Sequence, residues 1–184
     1  DDSGRKIDSV VTLLCFVLEA DEKTARDCLQ TITRAIETGQ VAAERVDAIR
    51  DQLAEELDPI LQDDAHPLRF DVALLLIAVS DEDILDDVRP ILGNSDEDGA
   101  EFRAQVLAAL GRLDRIEVAE LVLAQFAEFD PALQSRGIEL LTQRPAWSAV
   151  LLTAVAEKQI GKDSLNLNQL RRIASFEDED LREQ

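Results

Sequence analysis

The segments that decide the fold are HPLRFDVA at residues 66–73 and EFRAQVLA at residues 101–108. The segments at 131–141 and 167–175 share their main feature, an arginine followed by apolar residues three and four positions apart. The arginines that mark the repeat are spaced 34, 33 and 35 residues apart: Arg69, Arg103, Arg136 and Arg171. This apolar spacing places the side chains on one helical face, so each segment predicts an amphipathic helix.

Partner helices are predicted between these segments, at 84–92, 116–126 and 146–157. The N-terminal part predicts three more, at 8–19, 21–38 and 41–61, with Gly39 at a left-handed helix end and a bend or stop at Pro59. No alternating strand pattern is present. Hairpins that recur every 31 to 35 residues bury their apolar stripes only by stacking. We therefore expect an all-α fold, a HEAT-like α-solenoid of stacked antiparallel helical hairpins.

The expected organisation is one all-α domain over 1–184, with N-terminal helices at 1–62 and HEAT-like repeats at 63–184. The first 62 residues either diverge from the array or cap it. Acidic residues at predicted helix starts, namely 81–83, 96–98, Asp114 and Asp130, are expected to cap free main-chain N–H groups. Pro131 and Pro145 fit the first turn of a helix, where no main-chain donor is required.

One stretch carries a family resemblance: LLTQRPAW at 140–147, followed by leucines at 151–152. It resembles the HEAT-repeat connector region of planctomycete-type membrane-bound dehydrogenase and cytochrome c proteins. The resemblance covers most of 60–184 and rests above all on Arg144, Pro145 and Trp147. It implies a connector between a β-propeller and a cytochrome c domain, in an exported or periplasmic protein. The chain has no Cys-x-x-Cys-His and no propeller repeat, so neither oxidoreductase activity nor haem ligation is carried over to any residue.

The composition argues against several classes of function. A formal charge of -20 opposes binding to a phosphate backbone, and one Trp with no Tyr offers no stacking platform for bases. The longest apolar run, at 72–79, is too short to cross a bilayer, so no membrane insertion is expected. One His and two Cys leave little for a metal site or a catalytic triad. We therefore expect no enzyme activity and no cofactor.

Two local features leave alternatives open. NSDEDG at 94–99 matches the first half of an EF-hand loop through Asn94, Asp96 and Asp98, but position 12 is Gln105 and lacks the bidentate carboxylate. It is interpreted as an acidic helix-capping loop or as a weak calcium site. Cys15 and Cys28 have no CxxC spacing and are either buried thiols or a disulfide.

The acidic charge is concentrated in one part of the sequence. Residues 51–130 contain 21 acidic and 5 basic side chains, which favours either a basic protein partner or a solvated surface suited to a salty environment. Because the chain begins at Asp1 and contains no Met, we expect a processed product or an excised domain. The expected function is a non-catalytic scaffold that spaces or docks neighbouring domains or partner proteins. The alternatives are a free-standing acidic adaptor for a basic protein and, third, a helical-repeat enzyme.

Overall fold

A computed structural model describes Phe16, Leu18 and residues 21–81, 83–93 and 99–176, except for the side chains of Ala48, Ala54 and Glu55. Every regular element in these residues is helical. The α-helices are α1 (Glu22–Glu37), α2 (Ala43–Gln62), α3 (Arg69–Ala78), α4 (Ile84–Gly93), α5 (Ala100–Leu110), α6 (Ile116–Gln125), α7 (Pro131–Leu141), α8 (Pro145–Ala156) and α9 (Leu167–Ala174). Short 3-10 helices lie at Phe126–Glu128 and Lys162–Ser164. The all-α prediction is confirmed over this part of the chain, whereas the predicted helix at 8–19 lies almost wholly outside it.

The chain divides into two compact units, Asp1–Asp87 and Val88–Gln184, and α4 spans the division. In the first unit, α3 packs against both α1 and α2. Its core is built from leucines and other apolar residues at helical spacing, among them Leu29, Leu53, Leu57, Leu61, Val72, Leu75 and Leu76. The expected division into N-terminal helices at 1–62 and repeats at 63–184 stays a prediction.

In the second unit, helices two apart along the chain pack together. Helix α5 packs against α7, α6 packs against α8, and α7 also contacts α8. Gly137 of α7 lies close to α6, because a methyl group added there would lie 3.3 Å from Val122 Cγ1 on α6 and 3.7 Å from the Phe129 ring. A larger side chain would have to displace closely packed neighbours.

The predicted helix caps are partly confirmed. The Asp130 carboxylate accepts hydrogen bonds from the main-chain N–H groups of Ala132 and Leu133, both at 2.9 Å, and α7 begins with Pro131 as expected. The expectation for Asp114 is wrong. Helix α6 has Arg115 at its N-cap position and no side-chain hydrogen bond that caps the helix, and Asp114 instead pairs with Arg144 of another loop.

Three helices end at a residue with positive φ. Gly39 has φ +68°, as predicted, and Ser80 and Lys158 have φ values of 58° and 64°. In each case the next residue's N–H reaches back to the carbonyl five residues before it, and this bond satisfies one of the free carbonyls at the helix end. The sequence pattern did not predict this ending for the two residues other than glycine.

The interior prolines do not stop their helices. Pro59 lies within α2 and Pro90 within α4, and each helix continues for three further residues. A proline inside a helix has no N–H to donate to the carbonyl four residues before it, so one main-chain hydrogen bond is lost. Because both prolines lie in the last turn, few further bonds depend on the disrupted position. Of the two alternatives expected at Pro59, a bend or a stop, the stop is therefore excluded, and the predicted helix end at 61 lies within one residue of the observed end at Gln62.

Candidate interaction surface

Trp147 lies where α8 meets the start of α6. Its side chain is 1% exposed, and its Nε1 donates a hydrogen bond of 3.0 Å to the main-chain carbonyl of Arg115. The guanidinium of Arg144 lies over the ring, with Cζ 4.8 Å from the ring centroid. The indole is thus fixed by its edge to α6 and by its face to the cation that precedes α8.

Arg144 connects this aromatic residue to the turn between α5 and α6. Its Nη1 lies 3.0 Å from Asp114 Oδ1, and its Nη2 donates to the carbonyl oxygen of Gly111 at 3.2 Å. Pro145, the first residue of α8, has no N–H to satisfy at the helix start. The Arg-Pro-Ala-Trp segment therefore links the start of α8 to the turn between α5 and α6. Its arginine and tryptophan are occupied by contacts within the protein.

Two of the recurrent arginines are directed into helix–helix contacts. Arg69 donates from Nε to the carbonyl of Leu61, at 2.8 Å, and pairs with Asp64. Arg103 is 3% exposed, and its Nη2 lies 3.6 Å from Asp130 Oδ2. The Nε and Nη1 of Arg103 are buried and have no hydrogen-bond partner. A buried charge is costly unless its polar atoms are paired. The burial of Arg103 is therefore only partly compensated by Asp130.

The other two recurrent arginines, Arg136 and Arg171, are not directed into helix–helix contacts. Both are exposed, and neither pairs with a carboxylate among the residues described. A one-residue change of register rotates a helical side chain by about 100°, and a strict repeat of 34 after Arg103 falls on the buried Gly137. In α9 the ion pair is formed by Arg172, next to Arg171, which contacts Glu139 of α7.

A shallow groove of about 160 Å³ lies between α5 and α7. Its floor is formed by Ala104, Leu107 and Ala108 of α5 and by Leu140 of α7, and its polar rim by Arg136, Glu139 and Gln143. The two alanines lie one turn apart, and their small side chains leave the depression open. The repeat pattern did not reveal this groove, because it depends on two side chains being short rather than on where apolar residues recur.

Helix α9 supports the rim of this groove. Arg172 pairs with Glu139, and Gln169 Nε2 lies 3.4 Å from the same carboxylate. Asn166 and Gln169 form a capping box that starts α9, with Asn166 Oδ1 accepting the Gln169 N–H at 3.0 Å. The charge of Glu139 is therefore matched by a cation, whereas Arg136 on the same rim is not.

In the first unit, Asp71 is the centre of a polar contact that the sequence did not predict. It is 9% exposed and accepts hydrogen bonds from Arg26 Nε at 3.2 Å and from Gln30 Nε2 at 2.9 Å. The Nη2 of Arg26 also donates to the carbonyl of Pro67, at 2.8 Å. This contact joins α1 to the start of α3. The signal in the sequence is a charged residue, Asp71, at a position of α3 whose neighbours Val72 and Ala73 are both buried.

A carboxylate cluster lies near the start of α4. Burial, followed by the nearby charge of Asp58, raises the pKa of Asp87 above its ordinary value of 3.8, and Asp81 and Asp83 act in the same direction. Gln62 opposes the shift by donating a 3.0 Å hydrogen bond to Asp87. Both units carry a net negative charge: residues 1–87 contain 22 acidic and 8 basic side chains, and residues 88–184 contain 17 acidic and 11 basic.

Some predicted sites lie outside the described residues, among them Asn94, Asp96 and Asp98 of the calcium-loop candidate and Cys15. Cys28 is a free thiol of intermediate exposure on α1. His66 Nδ1 accepts a hydrogen bond from the main-chain N–H of Leu68, at 3.2 Å. No group of three or more metal-binding side chains is found within the part of the chain that the structure describes.

Comparisons with protein-family models, curated proteins and solved structures gave no match for this chain. Across the described ranges, every helix is too short or too polar to span a bilayer.

Proposed function

We propose that this chain is a non-catalytic helical-repeat scaffold that spaces or docks neighbouring domains or partner proteins within a larger exported protein. One observation carries the proposal: within each unit, helices two apart along the chain pack against each other. In stacked hairpins the first helices of successive hairpins adjoin, and so do the second helices. The α5–α7 and α6–α8 contacts follow that pattern, which supports a HEAT-like solenoid.

The use of the polar side chains supports a structural role. Arg69 and Arg144 each donate to a main-chain carbonyl at or after the end of a helix, and Trp147 donates to the carbonyl just before another. These groups satisfy main-chain acceptors and hold neighbouring helices together. A catalytic site instead requires a nucleophile, acid or base turned towards a space that admits a substrate.

The connector role within an exported protein is tested by the flanking coding sequence. We expect propeller repeats upstream and a Cys-x-x-Cys-His segment downstream, since the resemblance at residues 140–147 implies both. A reading frame without either would contradict the connector role and the exported setting that depends on it. It would leave the packing of the helices unchanged.

The stacked arrangement is tested by hydrogen exchange on the full chain. In a solenoid each repeat contacts only its neighbours, so Trp147→Ala should lower amide protection in α5–α8 much more than in α1–α3. Thr153→Ala, at an exposed position on α8, is the matched control and should leave protection unchanged in both regions. Equal loss across the whole chain after Trp147→Ala would contradict neighbour-limited packing.

A free-standing acidic adaptor is the second candidate, and the carboxylate cluster around Asp87 favours it. Repulsion among Asp58, Asp81, Asp83 and Asp87 disfavours the charged form of Asp87, and a basic partner would relieve that repulsion. The test is titration with a lysine-rich peptide, followed by amide NMR shifts at low and high salt. An adaptor predicts shifts confined to residues 21–87 and weaker binding at high salt; salt-independent binding would contradict it.

A further inference from the structure

We draw no further inference here: the strongest candidate, the apolar outer face of α9 formed by Leu167 and Leu170, which are 60% and 45% exposed, carries nothing because nothing in the described part of the chain shows what covers it.

Discussion

Replacing Trp147 by alanine should cost about 3 to 5 kcal/mol of the free energy of unfolding. The magnitude follows from the 1% exposure of the side chain. Because the indole is enclosed by the protein, its removal leaves a cavity that solvent does not reach. Stabilities of single domains are about 5 to 15 kcal/mol. The variant should therefore lose a large fraction of its stability.

Two further variants separate the contributions to this cost. Trp147→Phe keeps an aromatic ring but leaves the carbonyl of Arg115 without its 3.0 Å donor, and it should cost about 1 to 3 kcal/mol. A double-mutant cycle with Arg144→Ala should give a coupling energy of about 0.5 to 2 kcal/mol for the cation over the ring. Arg144→Ala also breaks the bonds from Arg144 to Gly111 and Asp114. That cost is the same in the single variant and in the double variant with Trp147, so it cancels in the coupling energy.

The assay is urea denaturation followed by circular dichroism at helical wavelengths. Trp147 is the only tryptophan in the chain, so its fluorescence also reports unfolding of the second unit in the wild-type protein and in Arg144→Ala. A cost below about 1 kcal/mol for Trp147→Ala is the value typical of a surface substitution. That result would refute the reasoning, because it would place the indole outside the contact between α6 and α8.

Four other substitutions have calculable outcomes. Arg103→Met should raise the free energy of unfolding by up to about 4 kcal/mol in urea titrations, because it replaces a buried charge that lacks partners at Nε and Nη1. Gly137→Ala should cost about 1 to 3 kcal/mol, whereas Gly93→Ala should stabilise by up to about 1 kcal/mol, because the added methyl meets a packed side chain in the first case and only a flexible glutamine end in the second. Asp87→Asn should raise Tm at neutral pH, because burial and neighbouring carboxylates raise the pKa of Asp87. Its gain should decrease as the pH falls through the raised pKa of Asp87 in the folded chain and should vanish below 3.8, where Asp87 is protonated in both the folded and the unfolded wild-type chain. Asp27→Asn, at an exposed position, is the control.

Each of these expectations has a clear contrary result. A loss of stability in Arg103→Met would show that its pairing with Asp130 outweighs the cost of burial. Equal effects of alanine at Gly93 and Gly137 would contradict the close approach of α7 to Val122. A gain in Asp87→Asn that does not depend on pH would mean that the side chain is destabilising for a reason other than its charge.

The helices were predictable from the sequence because their apolar faces are regular. The prediction of helices at 84–92, 116–126 and 131–141 agrees with α4, α6 and α7 to within one residue at each end. Helix ends marked by strong local chemistry were also predictable, such as Asp130 with Pro131 and the left-handed Gly39. These features depend on a few consecutive residues, so the sequence alone contains the necessary information.

The partners of individual side chains were not predictable in the same way. Asp114 resembles an N-cap in the sequence, yet it pairs with Arg144, thirty residues away. The ion pair of α9 is formed by Arg172 rather than Arg171, because one residue of helical rotation decides which of two adjacent arginines contacts Glu139. A spacing of 33 to 35 residues does not fix helical phase to that precision, since each added residue turns the side chain by about 100°.

The groove was missed for a related reason. Ala104 and Ala108 read as ordinary apolar positions of an amphipathic helix, and the depression exists only because α7 places Leu140 and Arg136 opposite them. In the sequence, the groove corresponds to two small residues, Ala104 and Ala108, on α5 and an arginine, Arg136, on α7. Such a signal becomes visible only when the packing order of the helices is known.

The polar contacts also explain how similar hairpins keep one arrangement. Leucine-rich faces repeat along the chain, so apolar contacts alone distinguish poorly between one stacking register and another. Contacts such as Trp147 with the carbonyl of Arg115, Arg144 with that of Gly111, and Asp71 with Arg26 each have one geometrically suitable partner. A shifted register would bury these groups without partners, at a cost of about 1 to 3 kcal/mol each. Apolar burial thus drives the helices together, while these part-buried hydrogen bonds favour one packing register over another.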